Sequence, residues 1–481
     1  GLHPTLLPET RVFKHYLIVM PSTPSWRLFW AKTLPRNDEP RSEASRTHPL
    51  WAHLLDVANV ADLLWEMYLP EQLKQQLTTA SGLEAEQARR WYSLWIGLHD
   101  VGKAIPCFQV QHAPTWQRLQ EVGLTARAPR ERLIHHGHAS IPLLFDWIDR
   151  LDLPDASAEP LRQLAAFVGF HHGRLTNAFH LPRRTLKKWR GDRSTLGGET
   201  WVAAQQALID EVVIAWLGNA PQSPMLSTDA RWAPWLLGFA GWATLADWIG
   251  SISRHFPRDV ASEDELGSYL AESRAGAREA LASIGIAEQA PLVSSDLSTL
   301  FGFKDLRTIQ AIAKKLSLYD GMPTLTVIEA PTGEGKTEAA LLLAARQQQQ
   351  RADGGIYVAM PTQATSNGLL PRFERFLRRG CDVDGTANLV LVHGAADLHP
   401  SRQRLLNGSP PAPEDIRDEQ DDTTRAEVRT QEWFLPKKRG LLAPYGVGTV
   451  DQTFLGVLYS KHFFLRLLGL AGKTVIFDEV H

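Results

Sequence analysis

The sequence predicts an all-α domain followed by an α/β lobe built on a parallel sheet, and three observations carry that expectation. Before about residue 290, apolar residues recur at helical spacing, as in HLLDVANVADLLWEMY (53–68) and WLLGFAGWATLADWIGSI (235–252), and strand signals are scarce. After it, short β-rich runs alternate with helical stretches: TLTVIEA (324–330), GIYVAMPT (355–362), NLVLVHG (388–394) and KTVIFDEVH (473–481). Strands separated by helical lengths of chain are joined by crossovers, which implies parallel pairing. Finally, VIEAPTGEGKTEAAL (327–341) reads as strand, glycine-bearing loop and helix, the make-up of a phosphate-binding loop. The expected division is an N-terminal extension at 1–25, a helical domain at 26–285, a linker at 286–300 and the α/β lobe at 301–481.

Composition narrows the class of protein. The 481 residues are 44% hydrophobic and 22% charged, as in an ordinary globular chain. With a net charge of −2, a polyanion has to be met by local basic patches, because the global field does not attract it. The two cysteines, Cys107 and Cys381, show no pairing pattern, which argues for a reducing compartment and against a disulfide framework or a cysteine zinc site. No apolar stretch is long enough to span a bilayer, and the N-terminus lacks the layout of a signal peptide, so a cytoplasmic location and no membrane partner are expected. GSPPAPEDIRDEQDDTTR (408–425) is proline-rich and acidic and reads as a surface insertion. PRRTLKKWRGDR (182–193) fits a solvated loop and a nucleic-acid contact about equally. The chain begins with glycine and stops at His481 just after a strand, which suggests a piece of something longer.

In the helical domain, LWIGLHDVGKA (94–104) sets His99 and Asp100 at the end of an apolar run, with Lys103 just behind. His53 opens a helix in HPLWAHLLDVA, and His135, His136 and His138 crowd into LIHHGHAS. His171 and His172 pair in GFHHGRL, and Asp247 sits in LADWIGS. Each taken alone reads as structural. Together they offer neutral imidazoles and carboxylates, which suit first-row transition metals. Five or six such ligands with a shared carboxylate can hold two ions, and two ions roughly 3.5–4 Å apart clamp a phosphodiester for hydrolysis. Lys103 then stands ready to hold a non-bridging oxygen.

The order His, His-Asp, His, His-His, Asp resembles the HD-type phosphohydrolases. FWAKT (29–33), HPLWAHLLDVA, LHDVGKA, HHGRL and LADWIGS narrow the resemblance to the nuclease domain of the CRISPR-associated type I helicase–nucleases. That resemblance implies one divalent metal held by His53, His99, Asp100 and Asp247, and a second held by His136, His171 and His172 with Asp100 bridging. The metals it implies are Mn, Fe, Co or Ni, with His99, Asp100 and Lys103 in catalytic roles. In LIHHGHAS a glycine, Gly137, replaces the glutamate of the family's His-Glu-x-Ala-Ser pattern. His135 and His138 therefore stay open as alternatives to His136.

In the phosphate loop, Gly333, Glu334 and Gly335 are expected to cradle the β-phosphate of ATP through their N–H groups, with Lys336 on the β/γ-phosphates and Thr337 on Mg²⁺. Ala330 stands where the usual motif has its first glycine, but A-P-T-G-x-G-K-T resembles the variant found in superfamily 2 helicases. At the tip of the last strand, Asp478 is expected in the Mg²⁺ shell, Glu479 as the residue orienting the attacking water, and His481 as a link to DNA grip. Three further stretches resemble the same helicases. FKDLRTIQ (303–310) implies that Gln310 reads adenine, MPTQATSNGLLPRF (360–373) implies DNA-backbone contacts from Thr362, Gln363 and Thr365, and APYGVGTVDQTFLGVL (443–458) adds Thr449.

The resemblance covers nearly all of 26–481 and implies a RecA-like first helicase lobe without the second lobe and the C-terminal domain. A chain of that extent is expected to bind ATP weakly and not to translocate. The function implied is a metal-dependent single-stranded DNA endo/exonuclease coupled to an ATP-dependent 3′–5′ helicase that degrades foreign DNA. Its implied partners are the displaced single strand of an R-loop, the Cascade surveillance complex that recruits it, and phage inhibitor proteins. The alternatives are an HD nucleotide phosphohydrolase fused to an unrelated ATPase, and a non-catalytic recruitment module.

Overall fold

The computed structural model describes residues 24–33, 47–126, 134–151, 153–172, 193–218, 234–256, 260, 265–286, 290–303, 305–318, 323–351, 354–409, 426–435, 438–458 and 460–479. Most of the expected N-terminal extension, residues 182–192 of the basic run, residues 410–425 of the acidic insertion, and His481 lie outside the described residues.

The first half is helical apart from one short antiparallel pair, β1 (Trp30–Thr33) and β2 (Thr47–Pro49). Its helices are α1 (Leu50–Met67), α2 (Glu71–Ser81), α3 (Ala85–Gly97), α4 (Pro106–Gln109), α5 (Ala113–Glu121), α6 (His136–Arg150), α7 (Asp155–Gly169), α8 (Glu199–Leu217), α9 (Pro234–Gly250) and α10 (Leu266–Ser283). Pro49 holds an extended backbone immediately before α1 and fixes where that helix starts. Every residue from Leu50 to Trp65 is buried, so α1 is an all-round core helix rather than a surface one. A Cβ on Gly97 would lie 2.8 Å from the Leu54 carbonyl oxygen and 2.9 Å from Ala58 Cβ. That close crossing drives the end of α3 against α1, where the chain tightens into a 3-10 turn at Leu98–Lys103.

The second half contains α11 (Leu297–Phe301), α12 (Thr308–Lys315), α13 (Lys336–Arg351), β3 (Ile356–Met360), α14 (Gln363–Gly380), β4 (Thr386–Val392), α15 (Ser401–Leu406), β5 (Glu427–Arg429), β6 (Tyr445–Thr449), α16 (Val450–Phe454), α17 (Phe463–Leu470) and β7 (Thr474–Phe477). The strands form one sheet in the order β5-β4-β6-β3-β7, and every pairing is parallel. Three of the four expected runs are strands. The fourth, TLTVIEA, forms no ladder, and Leu325 and Val327 are 90% and 74% exposed. A β-rich composition makes a strand only when a neighbour pairs with it, and among the described residues none does. β6, in turn, hides behind its glycines. A Cβ on Gly446 would lie 2.9 Å from Tyr357 Cδ2, so the strand centre must be bare to pack.

The sheet lies between the helical unit and its own helices. Along β3, Tyr357 and Ala359 join the core of the helical unit, while Ile356, Val358 and Met360 pack with Phe373 and Val447 on the opposite face. Within 286–300, Ala290, Leu292, Leu297 and Leu300 are buried in that second cluster. The two halves meet where α9 crosses α17. A Cβ on Gly241 would lie 2.8 Å from Leu468 Cβ and 2.9 Å from the Phe464 carbonyl oxygen. Among the described residues, no helix is long and apolar enough to cross a membrane.

Candidate metal centre and nucleotide-binding loop

Five segments bring the sequence-derived ligands to one place. His53 lies in the first turn of α1, His99 and Asp100 in the 3-10 turn, and His136 at the first position of α6. His171 and His172 follow α7 after the single residue Phe170, and Asp247 sits near the end of α9. Their ligand atoms fall into two groups, His53–His99–Asp100–Asp247 and Asp100–His136–His171–His172, each within 4.8 Å. Asp100 belongs to both. Its Oδ2 is 3.3 Å from His53 Nε2 and from His99 Nε2. Its Oδ1 is 3.5 Å from His136 Nε2 and 3.6 Å from His171 Nε2. Asp247 Oδ1 is 3.3 Å from His99 Nε2, and the His172 and His136 Nε2 atoms are 2.8 Å apart.

Few of these contacts are satisfied hydrogen bonds. His99 Nε2, Asp100 Oδ1 and His171 Nε2 are buried without a hydrogen-bond partner. Each such group costs about 1–3 kcal/mol if left unmade, and a cation shared among them would remove that cost. The rings are aimed from behind. Nδ1–H of His99 donates to the Ile96 carbonyl at 2.9 Å, and Nδ1–H of His171 donates to the Val168 carbonyl at 2.6 Å. Both bonds leave Nε2 free to face Asp100. Of the other histidines in LIHHGHAS, His135 Nδ1 accepts from the Gly137 N–H at 3.2 Å, and the His138 ring packs on Phe170 at 4.9 Å. His136 is the one in the second group.

The electrostatics suit cation binding. Burial holds the imidazoles of His53 and His136 near 3, His171 near 4 and His172 near 2, so all four are neutral donors at neutral pH. Burial also opposes charge on His99, but Asp100 and Asp247 outweigh it and raise that imidazole to about 10. Asp100 is pushed up by burial and pulled down further by Lys103 and His99, ending well below the usual carboxylate range. Lys103 Nζ lies 2.7 Å from Asp100 Oδ2.

Several positioning residues were not singled out in the sequence. Ser140 Oγ donates to the His99 carbonyl at 2.7 Å and accepts from the Gly102 N–H at 2.9 Å, tying the 3-10 turn to α6. Its signal is the serine of LIHHGHAS. Lys32, inside FWAKT, donates from Nζ to the Gly250 carbonyl at 3.3 Å. Burial pulls it below the ordinary lysine value, against the fields of Asp56, Asp247 and Asp100. Behind His53, Asp56 accepts from His48 at 2.7 Å, Tyr269 at 2.8 Å and Ser273 at 2.7 Å, locking α1 to α10. These partners are far apart in sequence, and no local pattern announces them.

The candidate phosphate loop closes on the end of β7. Gly333 and Gly335 have φ of +87° and +83°, a region that favours glycine, and Glu334 N–H donates to the Pro331 carbonyl at 3.3 Å between them. Lys336 Nζ is folded back onto the Ala330 and Pro331 carbonyls at 2.6 and 3.2 Å. Thr337 Oγ1 donates to Asp478 Oδ2 at 2.7 Å, joining the start of α13 to the end of β7. Glu479 takes φ +57° beside it. Gln310 is buried, and a Cβ on Gly335 would run into its side chain. Thr362 caps α14, with its Oγ1 3.1 Å from the Thr365 N–H, and it stands exposed with Gln363. Thr449 pairs across from Met360 at the same sheet edge but is only 6% exposed.

Residues 30–256 match the family model "Cas3, HD domain". The chain is 36% identical over 441 residues to the CRISPR-associated endonuclease/helicase Cas3 of Thermus thermophilus, covering 90% of this chain and 45% of that protein. Among solved structures it is similar to T. fusca Cas3, with a TM-score of 0.74 and 28% identity over 94% of this chain and 46% of the other. It is also similar to a chain of a CRISPR RNA-guided surveillance complex in a pre-nicking state, with a TM-score of 0.60 and 25% identity over 94% of this chain and 44% of the other. The chain thus spans about half the length of the curated relatives it matches over most of its own length.

Proposed function

We propose that this chain, whose residues 30–256 match the Cas3 HD-domain model and which is similar to Cas3 nuclease–helicases over most of its length, comprises the metal-dependent nuclease domain and the first helicase lobe of a DNA-degrading enzyme of type I CRISPR interference. The enzyme cuts single-stranded DNA and, with ATP, moves along it 3′ to 5′ after recruitment by Cascade in the bacterial cytoplasm. We assign residues 26–285 to the nuclease domain and 301–481 to the lobe. The observation that carries the reading is that one buried carboxylate, Asp100, reaches both ligand groups and keeps an unbonded oxygen.

His53, His99, Asp100 and Asp247 would hold one divalent ion, and Asp100, His136, His171 and His172 a second, each Mn, Fe, Co or Ni. When bound, the pair supplies Lewis acidity and a low-pKa water. The chain's own residues do the rest. The Ile96 and Val168 carbonyls hold the His99 and His171 rings in line. Lys103 neutralises the carboxylate in the free site and turns to a non-bridging phosphate oxygen when DNA enters. In the lobe, Gln310, Gly333, Glu334, Gly335, Lys336 and Thr337 bind Mg²⁺–ATP, with Asp478 on the Mg²⁺ and Glu479 on the attacking water. Thr362, Gln363, Thr365 and Thr449 track the DNA backbone without reading sequence.

The test is metal analysis coupled to cleavage of circular single-stranded DNA, for the wild type and Asp100→Ala. The wild type should carry two ions per chain and cut, and the variant should lose both properties. Cleavage of free nucleotides with the circle left intact would favour a nucleotide phosphohydrolase and reject this reading.

A further inference from the structure

A group of basic side chains lies where α17 of the lobe meets α9 and takes no part in the chemistry above. Arg466, in α17, is 8% exposed, and its Nε and Nη1 are buried without a hydrogen-bond partner. The Nδ1 of His462, also buried, is likewise unbonded. His462 adopts φ +63°, an uncommon conformation for a residue with a side chain, and places its ring edge-on to Trp248 at 5.3 Å. Trp248 directly follows the metal-centre residue Asp247. Exposed Lys438 and Lys461 border the group. Burial and these two lysines, with smaller contributions from His171 and Arg466, hold the His462 imidazole down at about 4.

A guanidinium held inside a protein without an anion is costly, and an apolar side chain of similar volume would serve the packing better. Retaining Arg466 therefore points to an anion that arrives from outside. Gly456 marks the position along the lobe, since a Cβ there would lie 3.6 Å from Arg466 Cβ. It belongs to the run that carries Thr449. On the other side, Trp248 leads into Asp247. The group thus stands between a strand end assigned to backbone tracking and the centre assigned to cutting.

We propose that Arg466 and His462, bordered by Lys438 and Lys461, form a phosphate-binding station for a single DNA strand passing from the lobe to the metal centre. The station rests on the nuclease reading above and adds a specific contact to it. A planar guanidinium offers two parallel donors to a phosphodiester, and the lysines add charge without orientation. The nucleotide-binding loop is not the source of the phosphate, because it lies at the end of β7, tied by Thr337 to Asp478.

The experiment uses the chain itself with Arg466→Met and Arg466→Lys. Binding of a fluorescent oligodeoxythymidylate is measured across a KCl series in phosphate-free buffer, beside thermal melting and metal-dependent hydrolysis of bis(p-nitrophenyl) phosphate, which is too short to reach both sites. Arg466→Met should weaken oligonucleotide binding about tenfold and flatten the salt slope by roughly 0.7. It should melt no lower than the wild type and hydrolyse the small diester at the same rate. Arg466→Lys should keep the slope. An unchanged slope in Arg466→Met, or a lower melting point with the slope intact, overturns the station. Loss of binding to poly-glutamate with DNA binding unaffected would instead assign the site to an acidic protein, and overturns it too. A wild type that hydrolyses neither bis(p-nitrophenyl) phosphate nor the circular single-stranded DNA above rejects the nuclease reading, while the slope still decides the station.

Discussion

A Cβ placed on Gly137 would lie 2.6 Å from the carbonyl oxygen of Gly169. It would also lie 3.4 Å from His171 Cε1 and from His172 Cδ2. α6 and α7 thus meet backbone to backbone at the point where one carries His136 and the other hands on to His171 and His172. Gly102 plays the same part on the other side of α6, where a Cβ would run into the His136 carbonyl. The glycine that stands where related sequences are expected to carry glutamate is a packing requirement of this pair of helices.

Gly137→Ala should push α6 off α7 and separate His136 from its two partners. Overpacking of this kind costs about 1–3 kcal/mol, read as a lower urea midpoint. Bound metal should fall from two ions per chain toward one, because His53, His99, Asp100 and Asp247 do not touch the altered contact. Retention of both ions in a folded variant would show that the second group tolerates the displacement.

The metal-free centre should release one proton on binding metal. At pH 7.5 the His53, His136, His171 and His172 imidazoles are already neutral, held between about 2 and about 4. His99, at about 10, is charged and has to deprotonate to become a ligand. Affinity should therefore rise about tenfold per pH unit up to about pH 10. Without metal the sign reverses. A raised pKa stabilises the fold fully below the ordinary histidine value, and that stabilisation is lost as pH rises through about 10. Calorimetry in buffers of different ionisation enthalpy measures the proton count. A count near zero, or one that persists in His99→Ala, would contradict the assignment.

These outcomes bear on what the sequence could reveal. The helical period of α1 and α9 was legible because both are long and strongly apolar. The candidate ligands were legible because each is a metal-competent side chain within or beside an apolar helical run, and chemistry of that kind survives without knowledge of the fold. What stayed hidden depends on pairing across distance. TLTVIEA has strand composition but no ladder partner, whereas β6 has a ladder and a glycine-rich sequence that conceals it. The Asp56 network joins His48, Tyr269 and Ser273 across more than 200 positions of chain, beyond the reach of any local period. Gly137 showed only as a departure from a pattern, and its reason appears once Gly169 is seen beside it.

Lys103→Ala should separate binding from rate. The ammonium contacts Asp100 Oδ2 at 2.7 Å but belongs to neither ligand group. Removing it should leave two ions bound and slow DNA cleavage by about 10²–10³-fold, the usual loss for one preorganised charge donor. Lys103→Arg should recover part of the rate. A variant that loses metal in proportion to activity would make Lys103 a structural partner of Asp100 instead.

Lys336→Ala should separate the two halves of the molecule. Lys336 and Thr337 belong to a loop that closes on Asp478 at the end of β7, whereas the metal groups lie among α1, α6, α7 and α9. The ammonium is held by the Ala330 and Pro331 carbonyls, which occupy its donors. Removing the side chain would take away the cation proposed for the β/γ-phosphates and leave the backbone turn of Gly333 and Gly335 in place. Binding of a fluorescent ATP analogue should weaken by at least about tenfold, in line with the loss of one charge-assisted contact. Metal content and hydrolysis of bis(p-nitrophenyl) phosphate should not change. If diester hydrolysis fell together with nucleotide binding, the loop and the metal centre would form one coupled unit across the contact between α9 and α17.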